Sequence, residues 1–204
     1  TGLLFISLLG STATILSIAI LYALLALAFA RALLQRAAPL AVIALVLVLT
    51  AAEHPLLANP CLRESQYYCI RVDEVPVGGL AARVMALDHL GHGINLRDHP
   101  ANFHSPYVHL IDELVFQRTG GAAFSAFLIG GGAYTLPRAW LSEKAEHRLV
   151  MAEIDPAVTE MAKERLWFTP DQRIQIRHQD ARMALTGEAR PFDIIVGDAF
   201  KDVG

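Results

Sequence analysis

The chain has 204 residues, of which 54% are hydrophobic, and a formal net charge of −3. Its lysines and arginines are scattered, which argues against a surface that follows the phosphates of a nucleic acid. Its two cysteines, Cys61 and Cys69, are too few for a disulfide framework or a four-cysteine zinc site, so we expect both to be reduced.

The N-terminal quarter predicts a membrane segment. Residues 1–30 contain no charged side chain, and residues 37–52 are again without charge. A membrane-spanning helix needs about 20 mainly apolar residues, which the first stretch provides. The second reaches that length if Leu33 and Leu34 are included and Arg36 extends toward the headgroups. We therefore predict two transmembrane helices within residues 1–52, followed by a linker over residues 53–63.

A signal peptide is the alternative for the first stretch. Its apolar region is usually about 7–15 residues long and follows a basic start, whereas this stretch is longer and has no basic start. The sequence does not begin with Met, so we take it to be a piece of a longer chain.

Residues 64–118 predict a small β-rich domain. Two short apolar runs, at residues 68–72 and 83–87, flank a turn that contains Gly78 and Gly79, a pattern typical of a hairpin. Residues 107–117 then carry apolar side chains at helical spacing.

Residues 119–204 predict an α/β domain of the Rossmann type. Apolar runs at residues 124–129, 149–154, 174–177 and 192–196 alternate with helical segments. This alternation predicts a parallel sheet with right-handed crossovers. The sequence stops soon after the fourth run, so we expect this domain to be C-terminally incomplete, with further strands or a partner covering the sheet edge.

A glycine turn follows the first of these strands. Gly130, Gly131 and Gly132 come directly after it, and Glu153 lies near the end of the next strand. Glycine lets the backbone approach a ligand, and an acid at the tip of the following strand can bind a ribose diol. The pattern therefore predicts a nucleoside site.

Three acids end successive predicted strands: Glu153, Asp180 and Asp198. Ligands of open α/β sheets bind outside the carboxyl ends of the strands, where these acids would meet. The turn has no P-loop lysine, so a neutral or cationic nucleoside, such as a sulfonium, is favoured over a polyphosphate. The alternative is that each acid only caps the helix that follows it.

Six short motifs carry a resemblance to a known family. They are Glu64-Ser-Gln-Tyr-Tyr68, Leu87-Asp88, Ile129-Gly-Gly-Gly132, Ala152-Glu-Ile-Asp-Pro156, Gln179-Asp-Ala181 and Phe192-Asp-Ile-Ile-Val-Gly-Asp198. In this order and spacing, they resemble the spermidine synthases, and the chain resembles a membrane-fused branch of these aminopropyltransferases from about residue 64 onward. The fold class that follows is α/β, with a truncated methyltransferase-like (Rossmann-type) parallel sheet preceded by a small β domain and two N-terminal transmembrane helices.

The resemblance implies roles for individual residues. The glycines would line the co-substrate, Glu153 would bind its ribose hydroxyls, and Asp180 with the adjoining Ala181 would meet its adenine. Asp198 would help to deprotonate the attacking amine, because an ammonium has no lone pair. Tyr107 would contact that amine.

The chain also departs from the family pattern. Tyr68 and His92 stand where the family has glutamines, and we expect both to line the co-substrate. Ala133 stands where the family has an acid that faces the amine or the aminopropyl group. The half of the site that binds the nucleoside is thus kept, while the half that binds the amine is changed.

The expected function is a membrane-anchored transferase of polyamine-biosynthesis type. It would use S-adenosylmethionine or its decarboxylated form, transfer an aminopropyl-type group to an amine, and release methylthioadenosine. One alternative is an S-adenosylmethionine-dependent methyltransferase, which would release S-adenosylhomocysteine. Another is a module that binds the nucleoside and has lost catalysis.

The expected partners are a small amine and the membrane, with no nucleic acid and no metal, and a homodimer is left open. Arg31 and Arg36, between the two predicted helices, favour placing that turn in the cytoplasm and the globular domain outside it. The supply of the nucleoside favours the opposite arrangement. We expect an inner-membrane protein whose globular domain is cytoplasmic.

Overall fold

The structure is a computed structural model that describes residues 2–29, 44–45, 48, 59–143 and 145–199. The chain divides into two units, Thr1–Gln66 and Tyr67–Gly204. The predicted β-rich part from residue 67 onward and the α/β part both fall within the second unit.

An apolar helix dominates the first unit. Helix α1 is Gly2–Phe29, and its stretch Leu8–Ala26, 19 residues with a mean hydropathy of 2.1, is long and apolar enough to cross a membrane. The helix is kinked at Gly10, where φ is 80°. A two-residue strand, β1 (Arg63–Glu64), belongs to the same unit. The second predicted transmembrane helix falls almost entirely outside the described residues.

Neither cysteine is a free thiol. Cys61 and Cys69 are both disulfide-bonded, so the expectation of two reduced cysteines was wrong. A count of cysteines cannot show whether they are oxidised, because bonding depends on how the backbone places their β-carbons.

The second unit begins with an antiparallel meander. Its strands are β2 (Cys69–Val77), β3 (Leu80–Leu87) and β4 (Leu90–Leu96). The turn between β2 and β3 has positive φ at Gly78 (56°) and Gly79 (79°), so the hairpin predicted there is confirmed. Helix α2 (Pro106–Thr119) follows the meander and covers the predicted helical segment.

Strands and helices then alternate as the sequence predicts. They are β5 (Ser125–Ile129), α3 (Thr135–Ser142), β6 (Arg148–Ala152), α4 (Pro156–Arg165), β7 (Ile174–Arg177), α5 (Ala181–Thr186) and β8 (Ile194–Gly197). The four strands form a parallel sheet in the order β7-β6-β5-β8. The predicted α/β class with a methyltransferase-like parallel sheet is confirmed.

Strands β5 and β6 are buried on both faces of the sheet. Leu128 and Met151 belong to the larger core cluster, which also contains Trp140. Their neighbours Phe127 and Val150 belong to a second cluster on the opposite face. Continuous apolar strands of this kind are typical of parallel sheets with both faces covered. The two strands therefore give a rigid base to the loops at their carboxyl ends.

Candidate functional site

The glycine turn after β5 allows neighbouring backbone segments to approach it closely. Gly130 has φ of 86°, and a Cβ atom there would lie 2.7 Å from the carbonyl oxygen of Asp198. Gly132 has φ of 48°, and a Cβ atom there would lie 3.0 Å from the carbonyl oxygen of His92. Left-handed φ and tight contact together require glycine at both positions.

Tyr134 supports this turn from below. Its own φ is 55°, and its ring lies so close to Gly131 that a Cβ atom on that glycine would lie 2.7 Å from the ring's Cζ. The ring stacks on Phe168 at a centroid distance of 4.4 Å, and its hydroxyl lies 2.6 Å from the Thr159 hydroxyl. The turn therefore rests on a buried aromatic ring that is fixed by packing and by a hydrogen bond.

Glu153 follows β6 and faces the glycine turn. Its Oε2 accepts a hydrogen bond from the Gly131 backbone N–H at 2.6 Å, and its Oε1 accepts one from the Asp155 N–H at 2.8 Å. Burial raises the pKa of this carboxyl group, and the two backbone hydrogen bonds partly offset the increase. Each oxygen keeps a second lone pair, so the carboxylate is oriented and can still accept from a diol.

Asp155 and Asp180 both cap helices. The Asp155 side chain accepts from Ala157 N–H at 2.9 Å at the start of α4. The Asp180 side chain accepts from Arg182 N–H at 2.9 Å at the start of α5, and this bond lowers the pKa of Asp180. Asp180 therefore caps α5 and also lines the cavity described next.

A cavity of about 300 Å³ lies at the carboxyl ends of the strands. We call it the larger cavity. Its lining includes most of the predicted site residues: Tyr68, His92, Gly130, Gly132, Glu153, Asp180, Ala181 and Asp198. Three carboxylates from successive strand ends thus meet around one space whose wall includes bare glycine backbone.

A second cavity, of about 20 Å³, shares part of this wall. We call it the smaller cavity. The predicted site residues Tyr107 and Gly131 line it, and it shares His92, Gly130 and Asp198 with the larger cavity. The two spaces are therefore adjacent, with Asp198 facing both.

Tyr107 and Asp198 form a polar pair in the smaller cavity. The Tyr107 hydroxyl donates to Asp198 Oδ2 at 3.3 Å. Burial, with the neighbouring Asp198 charge, raises the pKa of Tyr107 to about 12. Burial also raises the pKa of Asp198, which the hydrogen bond from Tyr107 partly lowers. Asp198 is therefore a stronger base than an exposed aspartate.

Strand β4 packs onto the glycine turn and carries His92 into the site. A Cβ atom on Gly93 would lie 2.7 Å from the Cβ of Ala133, so the strand backbone contacts the turn directly. Burial lowers the pKa of His92, which favours a neutral imidazole at pH 7. His92 thus presents an uncharged polar group to both cavities.

All of the predicted site residues line at least one of the two cavities. The sequence analysis missed the apolar wall of the smaller cavity, which consists of Val108, Leu128, Leu136, Pro137, Met151 and Val196. Thr135, at the start of α3, also lines the smaller cavity and was not predicted, and Gln179, which belongs to a motif quoted above but was given no role, lines the larger one. The position of Thr135, two residues beyond Ala133 at the N-terminus of the helix after a glycine turn, was a usable signal.

Comparison with known proteins identifies the fold. No protein-family model matches the chain, and no curated protein matches it. A solved structure described as a probable spermidine synthase from Corynebacterium glutamicum ATCC 13032 is 19% identical, with a TM-score of 0.57 over 67% of this chain and 50% of that one.

Two further structures are more distant. Spermidine synthase from Thermotoga maritima is 22% identical, with a TM-score of 0.46 over 64% of this chain and 45% of that one. Human methyltransferase-like protein 13, solved in complex with SAH, is 24% identical, with a TM-score of 0.40 over 48% of each chain. The chain spans about half the length of the structures it matches. It has a spermidine-synthase-like α/β fold.

Proposed function

We propose that the chain is a transferase that binds a sulfonium nucleoside, S-adenosylmethionine or its decarboxylated form, and passes a group from it to an amine. The observation that carries this proposal is the larger cavity. Glu153, Asp180 and Asp198 line one space of about 300 Å³ above glycine backbone. Such a space suits a ligand that has a diol, an amino group and a positive charge.

Each acid has a role that its surroundings support. Glu153 is oriented by two backbone hydrogen bonds and would accept from the ribose hydroxyls. Asp180 is partly exposed at the start of α5 and would accept from the adenine amino group, with Ala181 beside it. Tyr68 and His92 would lie against the nucleoside from the meander side.

Asp198 would act as the proton acceptor. It lies between the two cavities, its pKa is raised by burial, and Tyr107 holds one of its oxygens. It would take a proton from the ammonium of the acceptor, and the freed lone pair would attack the carbon bonded to sulfur. The C–N bond forms as the C–S bond breaks, and the sulfur leaves as a neutral thioether. Holding both reactants in adjacent cavities would supply much of the rate.

Methyl transfer is the second candidate. Ala133, which carries no charge, lines the smaller cavity in place of the acid that the family resemblance implies, so recognition of an aminopropyl group or a diamine is not assured. Loss of catalysis with retained binding is the third candidate. The products separate all three.

We also propose that α1 anchors the protein in a membrane. Its stretch Leu8–Ala26 meets the length and hydropathy of a membrane span, a criterion that a signal sequence also meets. Supply of the nucleoside favours a cytoplasmic globular domain at the inner membrane, whereas the oxidised state of Cys61 and Cys69 favours an oxidising compartment.

Product analysis tests the proposal. Purified protein is incubated with each sulfonium nucleoside and a mixture of small amines, and the nucleoside products are separated by chromatography. Methylthioadenosine is expected, and it should be absent with Asp198→Asn. S-adenosylhomocysteine would identify a methyltransferase instead, and binding without any product would identify a binding module.

A further inference from the structure

Two backbone segments hold the carboxylate of Glu153, one at each oxygen. The Gly131 N–H in the glycine turn donates to Oε2 at 2.6 Å, and the Asp155 N–H just before α4 donates to Oε1 at 2.8 Å. The direction in which this buried carboxylate points therefore depends on how the turn and the start of α4 lie relative to each other. A shift of either segment would rotate the carboxylate within the larger cavity.

Tyr134 and Thr159 connect these two segments. The Tyr134 ring lies beneath Gly131, and the Tyr134 N–H donates to the Gly131 carbonyl oxygen at 2.8 Å. Thr159 lies on α4, one helical turn after Asp155, and its hydroxyl is 2.6 Å from that of Tyr134. One hydrogen bond between two hydroxyls thus ties the segment that holds one oxygen of Glu153 to the segment that holds the other.

The connection between Tyr134 and Thr159 is fully buried. Tyr134 is 0% exposed and Thr159 is 1% exposed, so neither side chain is open to a ligand. Burial raises the pKa of Tyr134, so its hydroxyl stays protonated at pH 7 and can donate as well as accept. A hydrogen bond in such surroundings is stronger than one in water. The two side chains can therefore act on a ligand only through the residues that they hold.

The backbone of Tyr134 is strained. Its φ of 55° is a left-handed conformation, which is uncommon for a residue with a bulky side chain. Such a conformation persists only where the surrounding structure imposes it, and it is found most often at functional sites. Here the stack on Phe168, with 29° between the ring planes, and the bond to Thr159 impose it. The strain therefore falls on the residue that ties the two segments around Glu153.

We propose that Tyr134, through its hydrogen bond to Thr159, is a positioning residue that directs the Glu153 carboxylate at the two hydroxyls of a ribose, and so sets the preference of the site for a nucleoside with an intact diol. This inference rests on the proposed function and specifies how its nucleoside is selected. A diol offers two donors to an ionised acceptor, so recognition depends on the orientation of the carboxylate. A nucleoside without these hydroxyls gains nothing from that orientation.

Adenosine and 2′,3′-dideoxyadenosine provide the test, because they differ only in the two ribose hydroxyls. Calorimetric titration of the purified chain gives the Kd of each nucleoside, and the ratio of the two Kd values measures recognition of the diol. We expect the wild type to bind adenosine at least about tenfold more tightly, since hydrogen bonds to a charged group are among the stronger ones. Tyr134→Phe keeps the ring and removes only the hydroxyl. It should lower the ratio by about threefold or more and leave the Kd of dideoxyadenosine within about twofold of its wild-type value.

Variants of Thr159 remove the same hydrogen bond from its other end. Thr159→Val should lower the ratio as Tyr134→Phe does, and Thr159→Ser, which keeps the hydroxyl, should retain the wild-type ratio. Thr119→Val is the matched control, because the Thr119 hydroxyl donates to the Val115 carbonyl oxygen on α2, and its loss should leave the ratio unchanged. Since the bond can be removed from either end, one variant of the two that folds by circular dichroism is enough for the test.

A double-mutant cycle with Glu153 separates positioning from a general structural effect. In a Glu153→Gln background the ratio is already reduced, and Tyr134→Phe should reduce it no further, because the two residues act through one contact. An unchanged ratio in Tyr134→Phe, an equal loss of affinity for both nucleosides, or the same reduction with and without Glu153 would overturn the inference.

Failure of the proposed function would look different. If the wild type binds neither nucleoside, or binds both equally tightly, the assignment of Glu153 to a ribose fails together with the inference. If the wild type prefers adenosine and the folded Tyr134→Phe and Thr159→Val proteins keep its ratio, only the inference about Tyr134 fails.

Discussion

Glu153 is a buried carboxyl group whose burial costs free energy in the unliganded fold, as expected for the ligand contact proposed above. It is 5% exposed and lies beside an open cavity, and burial raises its pKa. Its two backbone hydrogen bonds fix its orientation without fully offsetting the loss of water. A ligand that donates hydrogen bonds to both carboxylate oxygens would offset the remaining desolvation cost of Glu153.

The pH dependence of stability tests this placement. Because the folded pKa of Glu153 is raised above 4.5, its stabilising contribution is complete below about pH 4.5 and is lost as the pH rises through the folded value. Glu153→Gln removes this dependence. We therefore expect the Tm of the variant minus that of the wild type, both without ligand, to become more positive from pH 5 to pH 7.5.

Thermal unfolding at several pH values measures this difference, and each kcal/mol corresponds to about 2–4 °C in a domain of this size. Glu113→Gln, on the exposed face of α2, controls for the loss of one negative charge. If the difference in Tm between variant and wild type stays constant, or falls with rising pH, burial is not the main influence on the pKa of Glu153.

The pair Tyr107 and Asp198 gives a second prediction for single residues. The hydrogen bond from Tyr107 lowers the pKa of Asp198, so Tyr107→Phe should raise that pKa further. Activity that depends on ionised Asp198 should then rise at a higher pH in the variant than in the wild type. Loss of one hydrogen bond to a charged group should also slow turnover about tenfold.

The measurement is a pH profile of kcat/KM for both proteins, with the acidic limb compared. An acidic limb at the same pH in both proteins would mean that Asp198 is not the group whose ionisation controls the rate.

At the scale of elements, the site depends on the glycine turn between β5 and α3. The strands beneath it are buried on both faces, while the turn itself is held by positive φ and by close contacts with β4 and the loop after β8. A side chain at Gly130 would be strained by the positive φ and would also clash with the carbonyl oxygen of Asp198.

Comparing Gly130→Ala with Gly78→Ala separates the effect of positive φ from the effect of the steric clash. Both glycines have positive φ, but a Cβ atom at Gly78 would meet nothing within 4 Å. Gly78→Ala should therefore lower the free energy of unfolding by about 1–2 kcal/mol, and Gly130→Ala by about 1–3 kcal/mol more because of the clash with Asp198. Gly130→Ala should also abolish nucleoside binding, which Gly78→Ala should leave intact.

Chemical denaturation with calorimetric titration measures both effects. Equal destabilisation by the two substitutions, with binding retained in Gly130→Ala, would show that the turn tolerates a side chain and is not the floor of the site.

The strands and helices of the second unit were largely predictable, and their contacts were not. Apolar runs separated by helical segments predict the succession of β5 to β8 along the chain. The Gly-Gly turn predicts the β2–β3 hairpin. The packing of β4 against the glycine turn depends on a contact between Gly93 and Ala133, which are far apart in sequence, so no local pattern predicts it. Trp167 follows α4 with φ of 58° and lies near the guanidinium groups of three arginines that are also far from it in sequence.

At the scale of the whole molecule, α1 predicts attachment to a membrane. Ile15 and Ile18 lie near the middle of its apolar stretch and are 66% and 50% exposed. Replacing both by arginine adds about 6–8 kcal/mol to the free energy of insertion. We expect the wild-type chain, and an Ile15→Val/Ile18→Val control, to stay with membranes during alkaline carbonate extraction. The double arginine variant should be released in larger part than either, and equal retention of all three would show that α1 is not the segment that holds the chain in the membrane.

The cysteines bear on which side of the membrane the second unit occupies. Disulfides persist in oxidising compartments, and the positive-inside tendency of Arg31 and Arg36 favours the same side, whereas supply of the nucleoside favours the cytoplasm. We expect Cys61 and Cys69 to resist maleimide labelling in acid-quenched cells until they are reduced. Labelling without reduction would contradict the disulfide and support a cytoplasmic domain.

The residues of the candidate site could be predicted from sequence in more detail than the membrane topology or the oxidation state of the cysteines. Short motifs mark the residues at the strand ends, because the proposed nucleoside would require particular residue types at fixed spacing. Membrane topology and thiol pairing leave no such local pattern, because they depend on geometry and on the compartment in which the chain folds.

We propose above all that the larger cavity binds an adenine nucleoside through Glu153. Calorimetric titration of the purified chain with methylthioadenosine, which carries the nucleoside and no charge on sulfur, tests it most directly. We predict saturable binding to the wild type and a Kd at least about tenfold higher for Glu153→Gln, since a diol loses a charged acceptor. No binding to the wild type, or the same Kd in both proteins, would contradict the account.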